Sequence, residues 1–301
     1  MNLDWISKLD CPYDVLDEGR IVLINGDCLK VLPLMPKGCV DAVVTSPPYG
    51  NIRTYGSDIR SSVDGVIAPL AASVSNGGVI VWNEADQTID GSESCDSFRH
   101  ALAFRGEGMR LHDTMIYCKE AVTFPDSNRY HPAFEYMFVF SHGAPAHFNG
   151  LKDRKNKWAG DTVHGSRREA NGMLLPPNNF GKAIPPFGLR WNWWVMKTAS
   201  QEESIDHPAR MPFQMARDHI LTWTSDGCSV LDPFLGSGTT LVACIRTGRQ
   251  GIGIEISSAY YAIAKRRIEN ELRQPRLPFA EPAKAEQQEL FNPTLKTGGV
   301  P

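Results

Sequence analysis

"SVLDPFLGSGTTLVACIRTG", residues 229–248, runs from an apolar strand through a glycine-rich turn into an amphipathic helix. Asp232 ends the strand and Pro233 and Phe234 follow it. Gly236 and Gly238 let the backbone approach a ligand closely, and Thr239 and Thr240 open the helix, whose first amides face the same crevice. Such crevices lie beyond the carboxyl ends of strands in doubly wound α/β sheets. A second apolar strand, "GIGIE", ends in Glu255, an acid able to accept hydrogen bonds from both hydroxyls of a ribose.

Three ligand classes compete for such a turn. A dinucleotide fingerprint needs a third glycine where Leu241 stands, and a phosphate-binding P-loop needs a lysine that the stretch from Asp232 to Thr240 lacks. A strand-ending acid is a poor neighbour for pyrophosphate and a good one for a cationic aminoacyl group, which favours S-adenosylmethionine. A lone glycine-rich turn also closes many unrelated strand–helix junctions.

On either side of this stretch, short apolar runs alternate with helical spacing. Strands are expected at 20–27, 40–45, 77–83, 113–119, 134–140, 228–232 and 251–256, and helices at 61–75, 95–107, 211–223, 238–247 and 258–272. Several of the runs are apolar throughout, as parallel strands covered on both faces tend to be. The pattern predicts an α/β layer architecture with a mostly parallel sheet. It lapses from 142 to 206, a stretch too long for an ordinary loop and read as an inserted region. Residues 1–141 and 207–273 then form the two halves of one domain, and the Pro- and Gln-rich 274–301 is a mobile tail.

One strand, "VDAVV", passes without a spacer into "TSPPYG", residues 45–50. The prolines hold Ser46 and Pro47 extended, which fixes the directions of the Ser46 hydroxyl and the Pro47 carbonyl, with Pro48 and the Tyr49 ring beside them. Two fixed acceptors and a flat ring suit an aromatic amine. Accepting both protons of an exocyclic amine draws its nitrogen toward tetrahedral geometry and frees the lone pair for attack on a methyl group, while Tyr49 stacks on the base. A base within a duplex reaches such a pocket only when flipped out. The plain alternative is a proline-rich turn that merely ends a strand.

Together "TSPPYG", "DPFLGSGTT" and "HPARMP" (207–212) resemble the S-adenosylmethionine-dependent amino-methyltransferases of DNA, and the order, catalytic motif before cofactor motif, is similar to their permuted beta group. The resemblance spans about residues 20–272. It implies a Rossmann-like class I methyltransferase sheet, mostly parallel with one antiparallel strand among seven, and a target-recognition region in the place of the 142–206 gap. It also implies that Ser46, Pro47, Pro48 and Tyr49 hold the target base, and that Asp232, Pro233, Phe234, Gly236, Gly238, Thr239 and Thr240 line the methionine end of the donor. Glu255 would lie on its ribose and Asp27, in "NGD", near its adenine. "HPARMP" departs from the group in having Met211 where an aromatic or bulky apolar residue usually stands. Serine before "PPY" accompanies N4-cytosine methylation more often than N6-adenine methylation, so cytosine is the favoured base. C5-cytosine chemistry needs a thiolate, normally in a Pro-Cys step, and the chain contains none. A nicotinamide oxidoreductase leaves "TSPPYG" unexplained, and an inactive DNA-binding module or a methylase of RNA or protein remains an alternative.

Composition is that of a globular protein: 301 residues, 42% hydrophobic and 22% charged. The formal net charge of -3 does not announce a nucleic-acid partner, so local patches matter. Lys152, Arg154, Lys155 and Lys157 are candidates to hold the phosphates of double-stranded DNA, and Arg167 and Arg168 to reach base edges. "RWNWW" at 190–194 reads as core rather than as a stacking platform. The seven cysteines include no C-x-x-C pair, and no metal site is expected. "MNLDWISKLD" carries acids where a signal peptide needs a basic and then an apolar stretch, no run is long enough to cross a membrane, and a cytoplasmic protein is expected. Gln287, Leu290 and Phe291 of "QQELF" resemble the short peptides that bind bacterial sliding clamps, and the group's habits make a homodimer a further candidate assembly.

Overall fold

In the computed structural model, which describes residues 1–48, 59–119, 128–197 and 211–274, each of the seven apolar runs is a strand of one sheet. Numbered along the chain, the sheet strands are β1 Tyr13–Leu16, β2 Ile21–Asn25, β3 Val40–Thr45, β4 Val74–Glu84, β5 Arg110–Lys119, β6 Phe134–Ser141, β7 Trp193–Met196, β8 Ser229–Asp232 and β9 Gln250–Glu255. Their order is β1-β2-β9-β8-β3-β4-β6-β5-β7. From β2 to β5 this is a seven-stranded sheet in which only β6 runs against its neighbours. Two edge strands extend it beyond the sequence expectation, β1 antiparallel to β2 and β7 parallel to β5. The helices are α1 Cys28–Val31, α2 Ile59–Ser73, α3 Asp96–Gly106, α4 Phe213–Trp223, α5 Thr239–Thr247 and α6 Ser258–Arg273.

The apolar runs are continuous because both faces of the sheet are covered. Along β2, Val22 and Ile24 pack with Val31, Val66, Leu70 and Phe104 of α1 to α3, whereas Ile21 and Leu23 pack with Met215, Ile220, Leu241 and Ile268 of α4 to α6. Successive residues thus feed two different cores, as the two-residue period of a strand requires. On β9 the residues facing α5 are glycines, since a Cβ at Gly253 would come within 2.9 Å of Leu241. The missing side chains let the helix close on the sheet.

The aromatic group at 190–194 is only partly core. Trp194 on β7 is buried, whereas Trp193 stays half exposed because β7 is an edge strand whose alternate side chains face outward, and Trp191, before that strand, is half exposed in the smaller unit.

The described chain forms two compact units, a larger one from Met1–Asn149 together with the chain from Asn192 onward, and a smaller one from Gly150–Trp191. The smaller unit lies within the 142–206 stretch. It is built from two-residue strand pairs, Arg154–Lys155 with Phe187–Gly188 and Arg167–Arg168 with Leu174–Leu175, which explains why no periodicity is legible there. Among the described residues no helix is long and apolar enough to cross a membrane. The tail from 275 onward lies outside the described residues, and with it Gln287, Leu290 and Phe291.

Candidate active site at the carboxyl ends of the strands

Because β2, β3, β4, β8 and β9 are parallel, their last residues, Asn25, Thr45, Glu84, Asp232 and Glu255, share one edge of the sheet. From the adjacent β8 and β3 the connections run outward in opposite directions, to β9 and to β4, which makes the β8/β3 boundary the topological switch point. Asp232 sits there, 4% exposed. Its Oδ1 accepts from Thr45 Oγ1 at 2.6 Å and the Phe234 amide at 3.1 Å, and its Oδ2 from Thr240 Oγ1 at 2.7 Å. Burial pushes the carboxyl up, while the Thr45 and Thr240 hydroxyls and the Phe234 amide hold it back. Asp232 therefore fastens β3 to the glycine-rich turn, a job that the sequence motif does not reveal.

The turn itself needs its glycines. Gly236 has φ +54° and Gly238, the cap of α5, φ +86°, values that a side chain disfavours. Glu255 closes the turn from β9: one carboxylate oxygen accepts from the Gly236 amide and the other from the Ser257 amide, each at 2.8 Å. Burial raises the Glu255 carboxyl, the Ser257 and Gly236 amides oppose this, and the Asp232 charge adds to the rise. Arg267 of α6 donates to the Ser237 carbonyl and the Thr239 hydroxyl at 3.2 and 3.0 Å. Pro233 is buried, and Phe234 meets Trp82 of β4 edge to face with ring centroids 6.1 Å apart.

Asp27 caps α1 by accepting from the Leu29 amide at 2.9 Å. Beside it lies a cavity of about 230 Å³, lined also by Leu9, Cys11, Lys30 and Leu34. At the end of β3, Pro47 is buried and Ser46 and Pro48 are half-buried. Asn83 Nδ2 of β4 stands 3.4 Å from Ser46 Oγ. Tyr49 and the 207–210 part of "HPARMP" lie outside the described residues; Met211 packs against the core beneath α4, and Pro212 caps that helix.

Residues 40–266 match the DNA methylase family N6_N4_Mtase. The chain belongs to this family. A 42%-identical relative, aligned over 238 residues that make up 77% of this chain and 89% of its own, is the orphan methyltransferase M.BamHII of Bacillus amyloliquefaciens. Among solved structures, the PvuII DNA methyltransferase, described as cytosine-N4-specific, has a TM-score of 0.59 at 18% identity, covering 83% of this chain and 90% of its own. A DNA modification methylase of Thermus thermophilus complexed with S-adenosylmethionine has a TM-score of 0.54 at 22% identity, covering 83% and 95%. At such identities these structures establish the class I methyltransferase fold.

As an N6/N4 DNA methylase, the protein uses S-adenosylmethionine and acts on DNA. Its residues fit that donor. A buried carboxylate at Glu255 stands against the glycine-rich turn, and an open cavity adjoins Asp27 on the neighbouring strand end. A donor held by these residues would supply an electrophilic sulfonium methyl group. In the methylase's smaller unit, Lys152, Lys155, Arg167 and Arg168 are exposed. Arg154 instead lies 4.2 Å over the Trp191 ring and donates to the Leu189 carbonyl, Lys157 lies 4.9 Å over Trp158, and Arg167 pairs with Glu169 at 2.7 Å. The basic cluster is thus interleaved with half-exposed tryptophans.

Proposed function

We propose that this DNA methylase modifies the N4 amine of a flipped-out cytosine at a specific site in double-stranded DNA. The observation that carries this reading is a hydroxyl acceptor, Ser46, at the end of β3, one residue beyond the Thr45–Asp232 bond that ties this strand to the donor's turn. Ser46 Oγ and the Pro47 carbonyl accept the two amine protons, which pulls the nitrogen out of conjugation with the ring. Ser46 is too weak a base to remove a proton first, so the nitrogen attacks as the neutral amine and its proton leaves to solvent afterwards. Rate enhancement then comes mainly from positioning and electrostatics. Pro48 stiffens the turn and Tyr49 stacks on the base. Asp27, Asp232, Pro233, Phe234, Gly236, Gly238, Thr239, Thr240 and Glu255 serve the donor, directly or by shaping its turn. Lys152, Arg154, Lys155 and Lys157 hold phosphates, and Arg167 and Arg168 reach base edges.

The test is to incubate the protein and labelled S-adenosylmethionine with unmethylated bacterial genomic DNA, digest to nucleosides and identify the product by mass spectrometry. N4-methylcytosine is expected. N6-methyladenine keeps the mechanism and overturns the base, and donor binding without any labelled nucleoside overturns DNA methylation by this site. The clamp contact through Gln287, Leu290 and Phe291 is a separate proposal, lost if a peptide of residues 285–295 shows no binding to a sliding clamp. A homodimer rests on the group's habits alone.

A further inference from the structure

At the carboxyl edge of the sheet a file of polar side chains leads to Ser46. Lys119, the last residue of β5, holds Glu135 of β6 at 2.8 Å, Glu135 accepts from Asn83 Nδ2 at 2.6 Å, and the same nitrogen stands 3.4 Å from Ser46 Oγ. Asn83 is 2% exposed, and the Glu135 side chain 12%. Burying an amide and a charge against apolar strands is unfavourable, and β4 is otherwise apolar from Val79 to Trp82. An asparagine amide has the same shape either way round, so its partners decide which end is the donor. A carboxylate only accepts. Glu135 therefore fixes the NH2 group of Asn83 toward itself, and the second hydrogen on that nitrogen is directed to Ser46.

We infer that Asn83, oriented by Glu135, is a positioning residue for methyl transfer: its donation into Ser46 Oγ sets the hydroxyl so that a lone pair faces the incoming amine. This rests on the proposed role of Ser46. A separation of 3.4 Å is long for such a bond, and contacts of this kind tighten when the reacting group arrives. Lys119 balances the Glu135 charge from the solvent side.

The full-length parent, Asn83→Ala, Glu135→Gln and Ser46→Ala are compared by single-turnover methyl transfer to unmethylated genomic DNA at saturating labelled donor. Donor affinity and thermal midpoint are measured in parallel. Asn83→Ala is expected to slow transfer about 10- to 100-fold, with donor affinity within about twofold of the parent. Glu135→Gln keeps the packing but lets the Asn83 amide face either way, and is expected to slow transfer about 3- to 10-fold. A transfer rate within about twofold of the parent in Asn83→Ala overturns the inference. So does a slowing matched by lost donor affinity and a lower midpoint, the signature of a mere brace between β4 and β6. Undiminished activity in Ser46→Ala is a different failure, since it removes the proposed role of Ser46 itself.

Discussion

Replacing Thr45 by valine keeps the shape of the side chain and removes only its hydroxyl, so it isolates the 2.6 Å bond to Asp232. Both residues are buried, and water cannot take the place of the lost donor. A hydrogen bond to a charged group contributes about 1.5–3 kcal/mol, and the added methyl returns somewhat under about 1 kcal/mol. The expected loss is about 1–2 kcal/mol, or roughly 2–8 °C in thermal midpoint for a domain of this size. The loss depends on pH in a defined sense. Burial raises the Asp232 carboxyl, and Thr45 is the first of the donors that hold it down. A carboxyl raised on folding contributes stability that is fully present below its unfolded value of about 3.9 and is lost as pH rises through the folded value. Removing the Thr45 donor raises the folded value further. The gap between parent and Thr45→Val therefore widens as pH rises through the parent's folded value, which lies above the unfolded one, and is complete once the carboxyl has ionised in both proteins. Urea unfolding across that range measures it. A gap that does not widen as pH rises refutes the assignment of Thr45 as the donor that holds the Asp232 carboxyl down.

Glu255→Gln is expected to weaken donor affinity about 10- to 100-fold by calorimetry, because a buried charge-assisted acceptor becomes an amide; unchanged affinity would remove Glu255 from the donor site. Changing Lys152, Lys155 and Lys157 together to glutamine should lower DNA affinity and flatten its salt dependence by up to about 0.9 in log–log slope for each phosphate that is no longer neutralised, leaving donor affinity alone. Gly78→Ala places a Cβ 2.8 Å from the Asp41 carbonyl and 2.9 Å from that of Ser75. Because both of these neighbours are backbone and cannot swing aside, a loss of about 1–3 kcal/mol in unfolding free energy is the expected outcome.

The interior strands were legible because strands buried on both faces have to be apolar throughout, as Ile21 to Ile24 are. The edges were not. β1 exposes Tyr13 and Val15, and β7 draws on a tryptophan cluster that divides between core and surface. The glycine-rich turn and "TSPP" could be read because each is contiguous in the chain. Thr45 with Asp232, or Asn83 with Glu135, meet only through sheet register, the first pair across 187 positions of sequence. One signal was present for Asn83, a polar residue closing the apolar run "GGVIVWN". Arg267 gave none, since a helix such as α6 carries many basic residues on its solvent side.

The strand order also dictates how the protein can come into being. β8 and β9, near the end of the chain, fill the slot between β2 and β3, near its beginning. A nascent chain that has emerged only through β6 therefore holds two separate pieces of sheet, β1 with β2 and β3 with β4, β6 and β5, whose facing edges have no partner. Nothing local joins them; closure waits for residues 229–255 to leave the ribosome. The glycine-rich turn and the strand bearing Ser46 are thus brought together only once β8 has been made, so a chain interrupted before β8 lacks that turn altogether.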